Sequence, residues 1–214
     1  MTKGKCFSMV DQGQRRKADD YPTHYGLTRL FLVEESFQEC ESIWEPCIGE
    51  GAMRKEIMDY FPNKTLFFTD IKREGQLLRP DGKVTSHYPI DFLVCPYRAD
   101  AIITNPPYSL FHEIILKAKR VADKKIAMLL PLSYLQGQKR YDELWQDKSF
   151  ALSKVYVFNR FPDMTAPLRE DGKFPTGMMA MAWYVWNKEY TGAPKLRWLD
   201  CRKYVLSKKD KVDE

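Results

Sequence analysis

The chain has 214 residues and a mass of 25.2 kDa, with 44% hydrophobic and 29% charged residues. That length suits one domain with a substantial core, and its longest apolar runs, Met178–Trp186 and Ile126–Leu132, fall well short of the roughly 20 residues a bilayer span needs, which excludes a membrane protein of the helical kind. A formal charge of +5 permits a polyanionic partner without demanding one, while five cysteines with no C-x-x-C pair and only three histidines suit reduced thiols in a cytoplasm and offer no metal site.

In chain order, residues 1–20 are polar, lack the hydrophobic stretch of a signal peptide and read as a flexible N-terminal arm. From Thr23 to about Phe37, Leu27, Leu30, Phe31 and Leu32 precede a run of acids and suggest a helix. ESIWEPCIGEG (41–51) reads as a short strand running into a glycine turn, and AMRKEIMDYF (52–61) as a helix stopped by Pro62. TLFFTD (65–70) is a strand ending in an acid, followed by a basic loop from Lys72 to Lys83. VTSHYPIDF (84–92) and DAIITN (100–105) are two more strands, Ser109–Val121 a helix and KKIAMLLP (124–131) a fully buried strand. Tyr134–Trp145 reads as a helix, SKVYVFN (153–159) as a strand and MAMAWYVWNK (179–188) as a long aromatic strand.

Strands alternating with helices of about ten residues predict an α/β fold, a Rossmann-like, doubly wound and mostly parallel sheet. The last two strands have no helical crossover between them, so an antiparallel edge hairpin is expected. Residues 21–200 form a single domain in this reading, and 201–214 a basic C-terminal tail.

In such sheets ligands sit at the carboxyl ends of the strands, and the unusual residues fall there. Glu45, Pro46, Cys47, Gly49 and Gly51 close the first strand, where glycines let the backbone approach a ligand or simply make the turn. Asp70 can accept both hydroxyls of a ribose, or be a solvated strand-end acid. Asp91 and Phe92 pair an acceptor for an adenine amine with a ring, and can equally be structural. The position of a third glycine in G-x-G-x-x-G holds Arg54, so an adenosyl ligand without a phosphate cradle fits better than a dinucleotide.

The run Ala101-Ile102-Ile103-Thr104 stops at Asn105, Pro106, Pro107 and Tyr108. Neither proline can continue a central strand or a helix, and each forces its predecessor into an extended pose. The result is a stiff arm offering the Asn105 amide oxygen and the Pro106 carbonyl oxygen as acceptors. Two acceptors suit an –NH₂ conjugated to a ring or carbonyl, because hydrogen bonds favouring a tetrahedral nitrogen return its delocalised lone pair. Tyr108 adds a ring for a planar substrate. A proline-rich loop without chemistry is the alternative.

With these residues the chain resembles the S-adenosylmethionine-dependent amino-methyltransferases, in particular the adenine-N6 DNA methyltransferases of the gamma motif order. The resemblance runs from about Tyr21 to Lys188 and implies a class I methyltransferase fold. It implies that Thr23 holds the methionine carboxylate, that Glu45 lies near the methionine amine within the Glu45-Pro46-Gly49-Gly51 loop, that Asp70 binds the ribose and that Ile71 packs on the cofactor's adenine. Asp91 and Phe92 would take the adenine amine and flank the base, and Asn105-Pro106-Pro107-Tyr108 would be catalytic. Members that read a long DNA site carry a separate recognition domain, for which no length remains here; the compactness is similar to that of phage-type enzymes.

Target choice would then come from loops, chiefly Asn159–Met178, whose Arg160, Arg169, Lys173, Phe161 and Phe174 mix cations and rings as an unpaired strand requires. Phe161 is the candidate second wall around an extruded base, or else an aromatic packed on the hairpin, and Arg160 a contact to nucleic acid. QGQKR (136–140) and the segment from Lys188 to Lys211 are basic but read as solvated surface. The substrate is expected to be DNA, with an RNA base or a protein glutamine amide as alternatives, and a non-catalytic adenosyl- or nucleic-acid-binding module as a reading of another class.

Overall fold

A computed structural model describes residues 23–72, 75–78, 84–163, 169–171, 174–177 and 179–203, with 75–78, 84–88 and 203 described for the main chain alone. The arm at 1–20, Lys173, Met178 and the tail beyond 203 lie outside the described residues.

The first helix, α1, spans Tyr25–Glu34, and His24 caps it by accepting the Gly26 N–H at its Nδ1, 3.1 Å away. It leads to strand β1 (Ser42–Glu45), helix α2 (Arg54–Tyr60) and strand β2 (Thr65–Thr69). After them come β3 (Gly75–Leu78), β4 (Val84–Tyr88), β5 (Ala99–Thr104), helix α3 (Phe111–Val121) and β6 (Ala122–Pro131). The chain finishes through β7 (Phe150–Phe158), β8 (Met181–Lys188) and β9 (Lys195–Leu199).

The strands form one sheet in the order β3-β4-β2-β1-β5-β6-β8-β7-β9. Its centre, β4 through β6, is parallel throughout, and β8 runs antiparallel between β6 and β7. The expected mostly parallel α/β sheet is present, with the β7–β8 hairpin one strand in from the edge because β9 adds in parallel beyond β7. β9 falls in the stretch read as solvated surface: Lys195, Leu196, Arg197 and Trp198 are all exposed, so no apolar alternation marks the strand. β3, in the basic loop after Lys72, pairs antiparallel with β4. The helix expected over Tyr134–Trp145 is broken into a 3₁₀ turn (Leu132–Leu135), a single turn (Gln138–Arg140) and a wide turn (Tyr141–Trp145). Gly137 is the break. Its φ of 133° lies outside the helical range, and a Cβ there would meet the Arg140 guanidinium at 2.7 Å.

Side chains alternate between two cores, one on each face of the sheet. On one face Ile43, Ala101, Ile103, Ala127, Leu129 and Trp183 pack under α1, with Phe31 stacked on Trp183 at 4.2 Å. On the other, Trp44, Ile102, Met128, Leu130 and Trp186 meet Ile114, Ile115 and Ala118 of α3. β6 is buried on both faces, as its unbroken apolar run implies.

At the amino-terminal end of β6, away from the strand ends that carry the glycine and proline motifs, Glu35 is enclosed by three donors. It accepts from Lys125 Nζ (2.8 Å), Lys154 Nζ (2.7 Å) and Tyr156 OH (2.7 Å), and Lys125 also meets Glu39 (2.7 Å). Burial works against the Lys125 ammonium, but its bonds to Glu35 and Glu39 hold its pKa above the ordinary value. Breaking such a cluster strands a buried charge. Glu35→Gln should therefore cost about 3 kcal/mol in urea unfolding, the low end for a buried pair because Glu39 remains, whereas Glu39→Gln, at the half-exposed partner, should cost under about 1 kcal/mol.

Candidate active site

Because β1, β2, β4 and β5 are parallel, their following loops gather at one end of the sheet, where they line a cavity of about 240 Å³. Thr23, Glu45, Pro46, Gly49, Asp70, Ile71, Asp91, Phe92, Asn105 and Pro107 all border it. Of the residues singled out in sequence, Gly51, Pro106, Tyr108, Arg160 and Phe161 are not in its lining.

After β1 the backbone turns through Gly49 (φ 52°) and Gly51 (φ 85°), left-handed conformations that a side chain disfavours. The turn is tied down by Ile48 N–H donating to Thr69 O (3.1 Å) and Gly51 N–H to Ile48 O (2.8 Å). Gly51 shapes the turn without facing the cavity: its nearest side-chain atoms lie 4.0 Å from where a Cβ would stand. Asp70 fastens this loop to its own. Its Oδ2 accepts the Gly49 N–H and its Oδ1 the Lys72 N–H, both at 2.8 Å.

Glu45 is 2% exposed, and its Oε2 has no hydrogen-bond partner among the described residues. Burial, reinforced by the Asp70 carboxylate and opposed by Arg54, pushes its carboxyl well above the usual range. Burial and Asp70 likewise push the neighbouring Cys47 thiol up to about 12, so it stays neutral. Asp91 closes a turn, its Oδ1 accepting the Leu93 N–H at 2.9 Å, and Phe92 stands edge-on to Trp44 with ring centres 5.0 Å apart.

The arm after β5 is extended as its prolines require, with Pro107 at φ −59° and ψ 122°. Pro106 is buried, and Asn105 donates from Nδ2 to Thr23 Oγ1 at 3.0 Å, joining residues 82 positions apart. Tyr108 begins a 3₁₀ turn into α3; its carbonyl accepts from Tyr134 OH (3.3 Å), and the two rings meet edge to face at 6.3 Å.

Arg160 bonds within its own loop, from Nε to Thr176 Oγ1 (2.9 Å) and from its guanidinium to Phe174 O. Phe161 packs edge-on against Phe158 of β7 at 5.4 Å, the arrangement of an aromatic held on the hairpin. Phe174 of the same loop packs on the α1 cap instead, its ring 6.0 Å from that of His24.

Cys47, named in sequence with the glycine turn, also lines the cavity, and Ile48, Glu50, Ala52, Met53, Lys72, Ile90, Leu93, Leu110 and Ile114, none of them proposed as site residues, complete the lining. Leu110 and Ile114 had a usable signal, since residues four apart just after the arm share a helical face. The others are loop neighbours with no periodicity to mark them.

No family model matches the chain, and no curated protein matches it by sequence. Solved structures do. The modification subunit of a type I restriction enzyme from Vibrio vulnificus superposes with a TM-score of 0.53 at 15% identity, over 84% of this chain and 47% of that one. A predicted O-methyltransferase from Agrobacterium tumefaciens gives 0.57 at 11% identity over 88% and 94% of the two chains. A type I restriction-modification system gives 0.54 at 15% identity over 86% and 45%. The chain thus spans about half the length of the two restriction-modification proteins it matches. It has the class I methyltransferase fold.

The raised Glu45 carboxyl has a consequence for stability. Between the ordinary value of 4.5 and its raised one, the folded protein keeps a proton that the unfolded chain loses. Wild type therefore loses stability as pH rises through that window, by up to about 1.4 kcal/mol per unit from this group. Glu45→Gln removes the group, so its urea midpoint should gain on wild type as pH rises above the ordinary carboxyl value of 4.5.

Proposed function

We propose that the chain transfers a methyl group from S-adenosylmethionine to the exocyclic amine of adenine in DNA. The observation that carries this reading is the stiff Asn105-Pro106-Pro107 arm at the end of β5, beside a cavity bordered by three carboxylates from neighbouring strand ends. The donor set fits the cofactor: Glu45 keeps a buried oxygen with no partner among the described residues, the acceptor a ligand ammonium needs. The two glycines open a backbone turn with no phosphate-binding helix behind it, since α2 has only seven residues and begins at Arg54.

S-adenosylmethionine supplies, when bound, an electrophilic methyl group on a sulfonium. Around it Glu45 would take the amine, Asp70 and Asp91 the ribose hydroxyls and the adenine amine, and Ile71 and Phe92 the faces of the base. Asn105 Oδ1 and Pro106 O would accept the two N–H groups of the target amine and draw its nitrogen toward tetrahedral geometry, freeing the lone pair to form the new N–C bond while the S–CH₃ bond breaks and its electron pair leaves with sulfur as the neutral thioether. The methylated nitrogen is acidic enough to lose its proton to water, so the site needs no general base.

A paired adenine must first leave the stack, at a cost of a few kcal/mol. Tyr108, braced by Tyr134, offers a ring next to the acceptors. Lys72, in the lining of the cavity, is a basic group suited to a polyanion. The modification subunits of type I restriction enzymes among the structural neighbours support a nucleic-acid substrate.

Tritiated-methyl transfer into separate DNA, RNA and protein pools, followed by nucleoside analysis, tests the reading. The expected product is N6-methyldeoxyadenosine; label in glutamine of peptides, unaffected by DNA, would overturn the nucleic-acid assignment. Asn105→Ala should lower kcat at least roughly a hundredfold, comparable with losing one oxyanion-hole donor, while S-adenosylhomocysteine affinity stays near wild type. With 2-aminopurine at the target position, Tyr108→Ala should weaken base capture by about 1–3 kcal/mol.

A further inference from the structure

An asparagine amide has two ends of nearly equal size and opposite chemistry, an oxygen that accepts and an NH₂ that donates. Resting on the proposed reading, methyl transfer needs the oxygen toward the target amine; the turned amide would set donor against donor. Pro106 and Pro107 have no N–H with which to hold the oxygen. We propose that Thr23 is the positioning residue that sets this polarity: by taking Asn105 Nδ2 on its hydroxyl oxygen it turns Oδ1 to the other side, and an anionic group bound against Thr23 locks the arrangement.

The geometry is direct. Asn105 Nδ2 lies 3.0 Å from Thr23 Oγ1, Thr23 is buried at 4% exposure, and both residues border the cavity. Thr23 is itself held in place. It precedes the α1 cap His24, whose Nδ1 accepts from Gly26 N–H and whose ring is 2% exposed against Phe174.

A hydroxyl alone does not choose, because it can accept from Nδ2 or donate to Oδ1. It owns one proton. When a ligand carboxylate in the cavity accepts that proton, the Thr23 oxygen can only accept from Asn105, and the turned amide would leave two acceptors facing each other. Binding of a cofactor with a carboxylate would thereby fix the acceptor before the target amine arrives, with no movement of the main chain.

The test uses the whole chain with ¹⁵N-labelled asparagine. In wild type one Asn105 side-chain N–H should exchange slowly with solvent. S-adenosylhomocysteine should slow it further, and 5′-methylthioadenosine, which lacks the carboxylate, should not. Thr23→Val should abolish the protection and Thr23→Ser restore it. At saturating cofactor, Thr23→Val should lower kcat on the order of ten- to a hundredfold, the scale of a misplaced reacting group, with the KM for nucleic acid within a few-fold and recovery in Thr23→Ser. Equal slowing by both ligands in wild type would overturn the inference even if Thr23→Val does not fold. So would a Thr23→Val protein whose only defect is weaker cofactor binding. If Asn105→Ala itself turns over normally, it is the catalytic reading of Asn105 that fails.

Discussion

The mouth of the sheet is assembled on the Asp70 residue. Its two carboxylate oxygens take the Gly49 and Lys72 amides, and its own carbonyl takes the Ile90 N–H at 2.9 Å. One residue thus joins the loops after β1, β2 and β4, which carry Pro46, Ile71, Asp91 and Phe92 between them. Loops of this kind have few side chains to pack, so their positions follow from where their amides find acceptors. A ribose-binding role for Asp70 would use lone pairs left over from this structural one, since each carboxylate oxygen can accept twice. The same hub explains why the left-handed Gly49 is needed: the turn must bring its N–H back onto Asp70.

Assembling a site this way gathers negative charge in a poorly solvated place. Glu45 and Asp70 come from adjacent strand ends, and burial together with the Asp70 carboxylate pushes the Glu45 carboxyl well above its ordinary range. Arg54 partly offsets this but is also engaged over the Phe68 ring at 5.4 Å. A cationic ligand would relieve the arrangement and a phosphate would worsen it, which is an electrostatic reason, separate from glycine spacing, for the site to prefer an adenosyl sulfonium over a dinucleotide.

The strand ends were legible because each is marked by chemistry the strand cannot use: Glu45-Pro46 after Trp44, Asp70 after Thr69, and Asn105 with two prolines after Thr104. Buried strands were legible from unbroken apolar runs, as in β6 and β8. β9 was not, because an edge strand needs only its backbone, and Leu196 and Trp198 remain exposed beside Lys195 and Arg197. The broken segment after β6 misled because Tyr134–Trp145 has helical composition and the left-side φ of one glycine decides its path. The Thr23–Asn105 bond was out of reach altogether. Thr23 was marked for a ligand, and no periodicity connects residues 82 apart.

That bond places the Asn105–Tyr108 arm between two supports. On one side Thr23 precedes α1, whose cap His24 touches Phe174 of the loop between β7 and β8. On the other, Tyr134 holds the Tyr108 carbonyl and packs on its ring, with the Arg140 guanidinium stacked over Tyr134 at 5.0 Å. The supports come from the segments 132–140 and 159–177, which carry Arg140 beside Tyr134 and Arg160 beside Phe174. In a chain with no separate recognition domain among its described residues, contacts made by either segment reach the Asn105–Tyr108 arm through one or two side chains. Short packed links of this kind transmit displacement because close-packed side chains have little room to absorb it. In the proposed reading, binding of the target and alignment of the acceptors would then draw on the same set of contacts.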